Sequence, residues 1–228
     1  MQASTRLIEE IRADFADTAD LTGLPALSDA VAGALRRVPR DAFVPERYRD
    51  QAWENHPLPI GHDQTISQPY IVALMTQILE PGKSDRVLEV GTGSGYQAAV
   101  LAELVAHVYT IEIVAPLADR ARQTLQALGY VNVTVRAGDG YRGLPEHAPF
   151  DAIIVTAGAR EVPPPLVGQL KAGGRMIIPT GDTFLGQELI LVQKAADGTV
   201  TRRRILPVRF VPLTREKAGG GKDRPAGD

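Results

Sequence analysis

The chain has 228 residues, 44% hydrophobic and 23% charged, a globular composition that excludes a collagen-like or wholly disordered protein. Its 25 Lys and Arg against 27 Asp and Glu leave a net charge of −2, with no basic surplus to attract a polyanion, so no nucleic-acid partner is expected. The absence of Cys removes disulfides, thiolate metal sites and cysteine nucleophiles, no run approaches the ~18 apolar residues of a membrane helix, and residues 1–20 mix charge with apolar residues unlike a signal peptide. A cytoplasmic protein with no membrane partner is expected.

Residues 4–19 place Leu7, Ile8, Ile11 and Phe15 at helical spacing, and 28–37 repeat the pattern after Ser28, a cap candidate. The next stretch carries Pro39, Pro45, Pro57, Pro59 and Pro69 and is read as irregular and functional, because no long helix accepts such a series. YIVALMTQIL (70–79) is a buried helix opened by Pro69, with Ser67 its expected N-cap. From Arg86 short apolar runs alternate with amphipathic ones: strands at 86–90, 107–113, 132–136, 151–155 and 174–179, helices at 96–106, 115–128 and 163–170. The segments 187–195 and 199–210, joined through Asp197-Gly198, form an expected antiparallel pair. One α/β domain is expected over 1–218: a helical cap and substrate segment (1–80), a cofactor-binding core (81–180) and C-terminal strands (181–218). The Gly-rich stretch 219–228 is expected to be a disordered tail.

Gly91, Gly93 and Gly95 follow a strand and open a helix, where missing side chains let a nucleotide-like ligand approach the backbone. Roughly twenty residues on, Glu112 ends the next strand, where an acid accepts the hydroxyls of a ribose. Two cofactor classes fit. Gly93, Gly95 and Ala98 satisfy the G-x-G-x-x-A pattern of a dinucleotide site. Glu89, just before the first Gly, would repel a pyrophosphate and suits the sulfonium of S-adenosylmethionine. Asp139, in AGDG, adds an acceptor at the C-terminal edge of the sheet, or serves only as a turn residue.

EVGTGSG (89–95) resembles the first motif of class I S-adenosylmethionine-dependent methyltransferases. LPIGHDQTISQPYIVALM (58–75), AGDGY (137–141), FDAIIVTA (150–157) and VRFVPL (208–213) together resemble the protein-L-isoaspartate O-methyltransferase family, over about Val38 to Arg215. The resemblance implies a Rossmann-like, mostly parallel doubly wound sheet with N-terminal helices and C-terminal antiparallel strands. It implies a methyl-donor site at Glu89, Gly91, Gly93, Gly95, Glu112, Asp139 and Gly140. Ser67 corresponds to the family's active-site residue, with Thr65, Ile66, Val211, Pro212 and Leu213 placed against the substrate. Members commonly have Gly where this chain has Asp63, and Ala where it has Gly158.

The implied reaction methylates the free α-carboxylate of L-isoaspartyl residues in damaged peptides and proteins. A carboxylate with a pKa near ~4 is already ionised at neutral pH and needs no general base. In keeping with this, His56, His62, His107 and His147 include no i, i+4 pair, no G-x-S-x-G occurs, and no metal is expected. Ser67 would orient the carboxylate and Ile66 wall the methyl. VRFVPL is either a substrate-pairing edge or core packing of the last strand. The competing functions are an NAD(P)-dependent oxidoreductase and a related methyltransferase dedicated to one partner peptide.

Overall fold

The computed structural model describes residues 2–182 and 186–215. The chain opens with α1 (Gln2–Asp17), α2 (Ala19–Thr22) and α3 (Asp29–Arg37). Leu7, Ile8, Ile11 and Phe15 are all buried, as their spacing requires. Ser28 caps α3 by accepting a hydrogen bond from Val31 N at 3.3 Å. Two 3-10 turns, Arg40–Phe43 and Glu46–Gln51, then lead to a hairpin of β1 (Leu58–Gly61) and β2 (Gln64–Ile66).

That hairpin lies inside the stretch expected to be irregular. Its strands are very short, and the turn is made by His62 and Asp63 at φ 54° and 56°, without the Asn-Gly or Asp-Gly pair that marks such turns. Asp63, exposed at the tip, occupies a left-handed position that Gly adopts freely.

α4 (Pro69–Ile78) follows, with Pro69 in its first turn. The expected Ser67 cap is a correction: the N-cap position is Gln68, whose side chain makes no capping bond. Then come β3 (Arg86–Val90), α5 (Tyr96–Ala102), β4 (His107–Glu112), α6 (Ala115–Ala127), β5 (Val133–Ala137), β6 (Phe150–Val155), α7 (Pro164–Gln169), β7 (Leu170–Asp182), β8 (Gly186–Lys194) and β9 (Val200–Val208). α5 is four residues shorter than its periodicity suggests, because Asn132 Nδ2 donates to the carbonyls of Ala102 (2.9 Å) and Val105 (3.3 Å) and so satisfies a helix end.

The strands form a seven-stranded sheet in the order β5-β4-β3-β6-β7-β8-β9. Pairs from β5 through β7 are parallel, and β8 and β9 add antiparallel. The order reverses between β3 and β6, which opens a crevice at their carboxyl ends. Alternate residues divide two cores. Val87, Ala152 and Ile154 join α1, α3 and α4 on one face, while Leu88, Val90, Ile153 and Val155 pack with Leu166 of α7 on the other. Strands covered on both faces read as continuous apolar runs, which is why RVLEV and DAIIV stand out in the sequence. The expected tail, 219–228, lies outside the described residues. Among the described residues no helix is long and apolar enough to cross a membrane.

Candidate active site

The crevice is occupied by a cleft of about 540 Å³ lined by the ends of β3, β4 and β6 and by the β1–β2 hairpin. Its floor is the glycine turn after β3. Gly91 sits at φ 97°, and a Cβ there would fall 2.4 Å from Thr156 Oγ1. The Thr156 hydroxyl donates to Gly91 O (2.6 Å) and lies 3.1 Å from Val90 O, tying the turn to the end of β6. Gly140 lines the cleft as well, with a would-be Cβ 2.5 Å from Val90 Cγ1. These are places where only the bare backbone fits, and each leaves a surface that a flat ligand can approach.

Glu112 closes the turn from the neighbouring strand. Its Oε2 accepts from Gly93 N (2.8 Å) and its Oε1 from Val114 N (2.9 Å), and the residue faces the cleft. Each oxygen keeps a further lone pair, so the carboxylate can still accept from a pair of hydroxyls.

Three of the predicted donor-site residues stand behind this surface. Glu89 is fully buried, and among the described residues neither carboxyl oxygen has a hydrogen-bond partner. Burial pushes its carboxyl up to about 8, so it is largely protonated at neutral pH and does not present the charge expected of it from its place in the motif. Gly95, the N-cap of α5, packs against Ala121 and Leu125 of α6, with a would-be Cβ 3.3 and 3.2 Å away. Asp139 is 7% exposed. Its Oδ1 accepts from Tyr141 N at 3.0 Å, and its Oδ2 lies 3.8 Å from Arg142 Nε and 3.9 Å from Arg215 Nε. It shapes the loop that presents Gly140.

The hairpin covers the turn from above. Arg120 of α6 donates to Ile60 O at 2.5 Å, and a Cβ on Gly93 would sit 3.5 Å from Ile60 Cδ1. Strand alternation sends Thr65 into the cleft and Ile66 the other way, into the core at 3% exposure. Ile66 is therefore not a wall of the site, contrary to expectation.

A second, wider groove of about 1330 Å³ adjoins the first, and Thr65, Thr156 and Val211 line both. Ser67, Gln68 and Ile71 form one side of the groove, Leu206–Val211 the other, and Asp14 of α1 with Thr18 just beyond that helix one end. Ser67 is half-buried, and its hydroxyl makes no hydrogen bond among the described residues. Its carbonyl is held from beneath by Arg40 Nη2 at 2.9 Å. Arg40 has no exposed surface, and burial lowers its guanidinium to about 10.

VRFVPL does not continue as an edge strand, and its Val208, Phe210 and Leu213 pack half-buried against the cores. The ladder ends at Val208, and the chain crosses back over the strand ends. Gly158 N donates to Val211 O, and Leu213 N to Gly158 O, both at 2.7 Å, which brings Val211, Pro212 and Leu213 to the cleft. The buried Gln187 clamps the crossing, accepting from Phe210 N at 2.6 Å and donating to Phe210 O at 3.3 Å. A Cβ on Gly158 would lie 2.1 Å from Gln187 Nε2, so glycine at 158 matches the clamp. Thr156, Gln187 and Arg40 have no role in the sequence-based expectations. Thr156 follows directly on an apolar strand and was within reach of a motif argument, whereas the other two act through contacts distant in sequence.

A model of the protein-L-isoaspartate(D-aspartate) O-methyltransferase family matches residues 22–218. Protein-L-isoaspartate O-methyltransferase 2 of Polaromonas sp. (strain JS666) is 59% identical over 92% of this chain and all of its own. Protein-L-isoaspartate O-methyltransferase 1 of Cupriavidus necator is 56% identical over 91% of this chain and 80% of its own. Among solved structures, a protein-L-isoaspartate O-methyltransferase superposes with a TM-score of 0.79 at 31% identity, covering 90% of this chain and 65% of that longer one. A putative member from Plasmodium falciparum, in complex with S-adenosyl-L-homocysteine, gives 0.76 at 25% identity, covering 92% and 98%. With the doubly wound sheet, the glycine turn closed by Glu112 and the family match over most of its length, the chain belongs to the protein-L-isoaspartate O-methyltransferase family.

Proposed function

We propose that the protein transfers a methyl group from S-adenosylmethionine to the free α-carboxylate of L-isoaspartyl residues in damaged peptides and proteins, with the donor in the inner cleft and the peptide in the outer groove. The observation that carries this assignment of the two cavities is their junction at Thr65, Thr156 and Val211, where donor and acceptor can meet. The donor fits the inner cleft: bare backbone at Gly91 and Gly140 accommodates a flat base, and Glu112 offers free lone pairs to a ribose. Bound there, S-adenosylmethionine supplies an electrophilic methyl on a sulfonium.

The chain's own contribution is alignment and dryness. The acceptor oxygen is nucleophilic as it arrives, so no side chain has to remove a proton. Ser67 O–H donates to the substrate carboxylate and turns one oxygen toward the junction. Thr65 and Val211 narrow the passage and exclude water. Glu89, Gly95 and Asp139 support the donor site from behind, through the sheet, the α5–α6 packing and the Gly140 loop. The G-x-G-x-x-A match is explained by packing, since Gly95 meets α6 and Ala98 is fully buried in the core.

The test uses labelled methyl donor and two peptides of one sequence, with isoaspartate or normal aspartate at one position. Base-labile label in the isoaspartyl peptide alone is expected. Label in neither, with S-adenosylhomocysteine binding shown separately, would point to the dedicated-peptide alternative, and NADH binding without S-adenosylhomocysteine binding would point to an oxidoreductase.

A further inference from the structure

Arg40 is a full charge with no surface exposure and, among the described residues, no ion pair with a carboxylate. Nη2 donates to Ser67 O at 2.9 Å and reaches His56 O only at 3.5 Å, the guanidinium carbon lies 4.8 Å from the centre of the Tyr96 ring, and among the described residues Nε and Nη1 have no hydrogen-bond partner. Burying an unpaired cation is costly, and an apolar side chain of similar volume is often as stable or more so. Stability alone does not account for arginine here.

What the arginine touches does. Tyr96 is the first residue of α5, immediately after the glycine turn that floors the donor cleft. Ser67 stands on the wall of the acceptor groove. The 3-10 turn that carries Arg40 also brings Phe43 against the Tyr96 ring, edge-on with centroids 5.6 Å apart. The Ser67 carbonyl is thus fastened, through one planar side chain, to the helix that begins at the donor site.

We propose that Arg40 is a positioning residue for methyl transfer: it clamps the Ser67 backbone against Tyr96 and so aims the Ser67 hydroxyl at the acceptor carboxylate. The proposal rests on the assignment of Ser67 as the group that orients the acceptor. Arginine is needed because a planar fork can lie on a ring and donate to a carbonyl at once, whereas the point charge of lysine cannot do both.

The experiment is a double-mutant cycle on the intact chain with the isoaspartyl peptide as substrate, using Arg40→Lys, Ser67→Ala and the pair, with S-adenosylhomocysteine affinity and melting temperature measured on each. Arg40→Lys is expected to lower kcat about tenfold when Ser67 is present and less than about twofold when it is alanine, the non-additivity of residues acting as a unit. Affinity for S-adenosylhomocysteine should stay within about twofold throughout, since the clamp acts on the acceptor side. An equal loss in both backgrounds would overturn the proposal and leave Arg40 a structural residue. Full activity in Ser67→Ala would overturn the Ser67 assignment first and the clamp with it. If Arg40→Lys does not fold, Arg40→Gln, which buries no charge and keeps an amide donor, goes through the same cycle.

Discussion

Replacing Gly91 by alanine tests whether the glycine turn is dictated by the threonine that faces it. Two costs are separable. A non-glycine residue at φ 97° costs about 1–2 kcal/mol in backbone strain. The new methyl, placed 2.4 Å from Thr156 Oγ1, must also drive that hydroxyl off Gly91 O, at about 1 kcal/mol for the hydrogen bond broken. The total, about 2–3 kcal/mol, corresponds to a fall in melting temperature of roughly 4–12 °C for a protein of this size. Gly129→Ala is the control, since it has φ 82° but nothing within 4 Å of the new Cβ. It should lose only the strain, roughly 2–8 °C. Thermal unfolding of both variants, and of Gly91→Ala in a Thr156→Ala background, decides the matter. With the obstructing hydroxyl gone, the cost of Gly91→Ala should shrink to that of the control. Equal melting temperatures for Gly91→Ala and Gly129→Ala, or no relief in the Thr156→Ala background, would refute the steric account. Titration with S-adenosylhomocysteine should show weakened binding for Gly91→Ala and unchanged binding for Gly129→Ala.

Three further outcomes follow from the site. Glu112→Gln takes a charged acceptor away from the ribose hydroxyls of the ligand, at about 1.5–3 kcal/mol, so calorimetry should find S-adenosylhomocysteine bound roughly 10- to 100-fold more weakly; a change below about threefold would contradict the role of the carboxylate. Arg120→Ala releases Ile60 O and loosens the hairpin over Gly93, and a loss of about 1 kcal/mol should appear as roughly fivefold weaker donor binding with faster amide exchange in 58–66; unchanged exchange there would deny the hairpin its covering role. The unfolded chain loses the Glu89 proton near 4.5 and the folded protein near 8, so the native state binds the extra proton between those values and its stability falls as pH rises through that window. Glu89→Gln should therefore raise the melting temperature of the ligand-free protein, with the gain growing from pH 5 to pH 8, and a pH-independent gain would show that the carboxyl is not perturbed.

Much of the scaffold was legible from periodicity. The α1 residues Leu7, Ile8, Ile11 and Phe15 fell on one buried face, and the apolar runs of β3 and β6 became central strands, because burial selects the same spacings wherever it occurs. The hairpin escaped notice because three- and four-residue strands hold too few positions to show alternation, and the His62-Asp63 turn lacks the Asn-Gly or Asp-Gly pair. Ser67, singled out through the QTISQP resemblance, lines the outer groove. Its neighbour Ile66, taken by adjacency for a site residue too, was turned into the core by the pleat.

Local order and the chemistry of the glycine turn follow from the sequence itself, since a strand, a turn that admits no side chains and an acid at the next strand end are set by residues near one another in the chain. The tertiary structure alone decided which acids reach the cleft. Glu89 and Glu112 look equivalent in sequence, yet one is sealed in the middle of the sheet and held protonated, while the other bridges two backbone amides at the sheet edge. It also brought Arg40 beneath Ser67, and Gln187 across from Gly158 and Phe210. Partners so far apart in the chain leave no periodic trace, because their meeting is fixed by how the layers pack and not by the conformation of either segment.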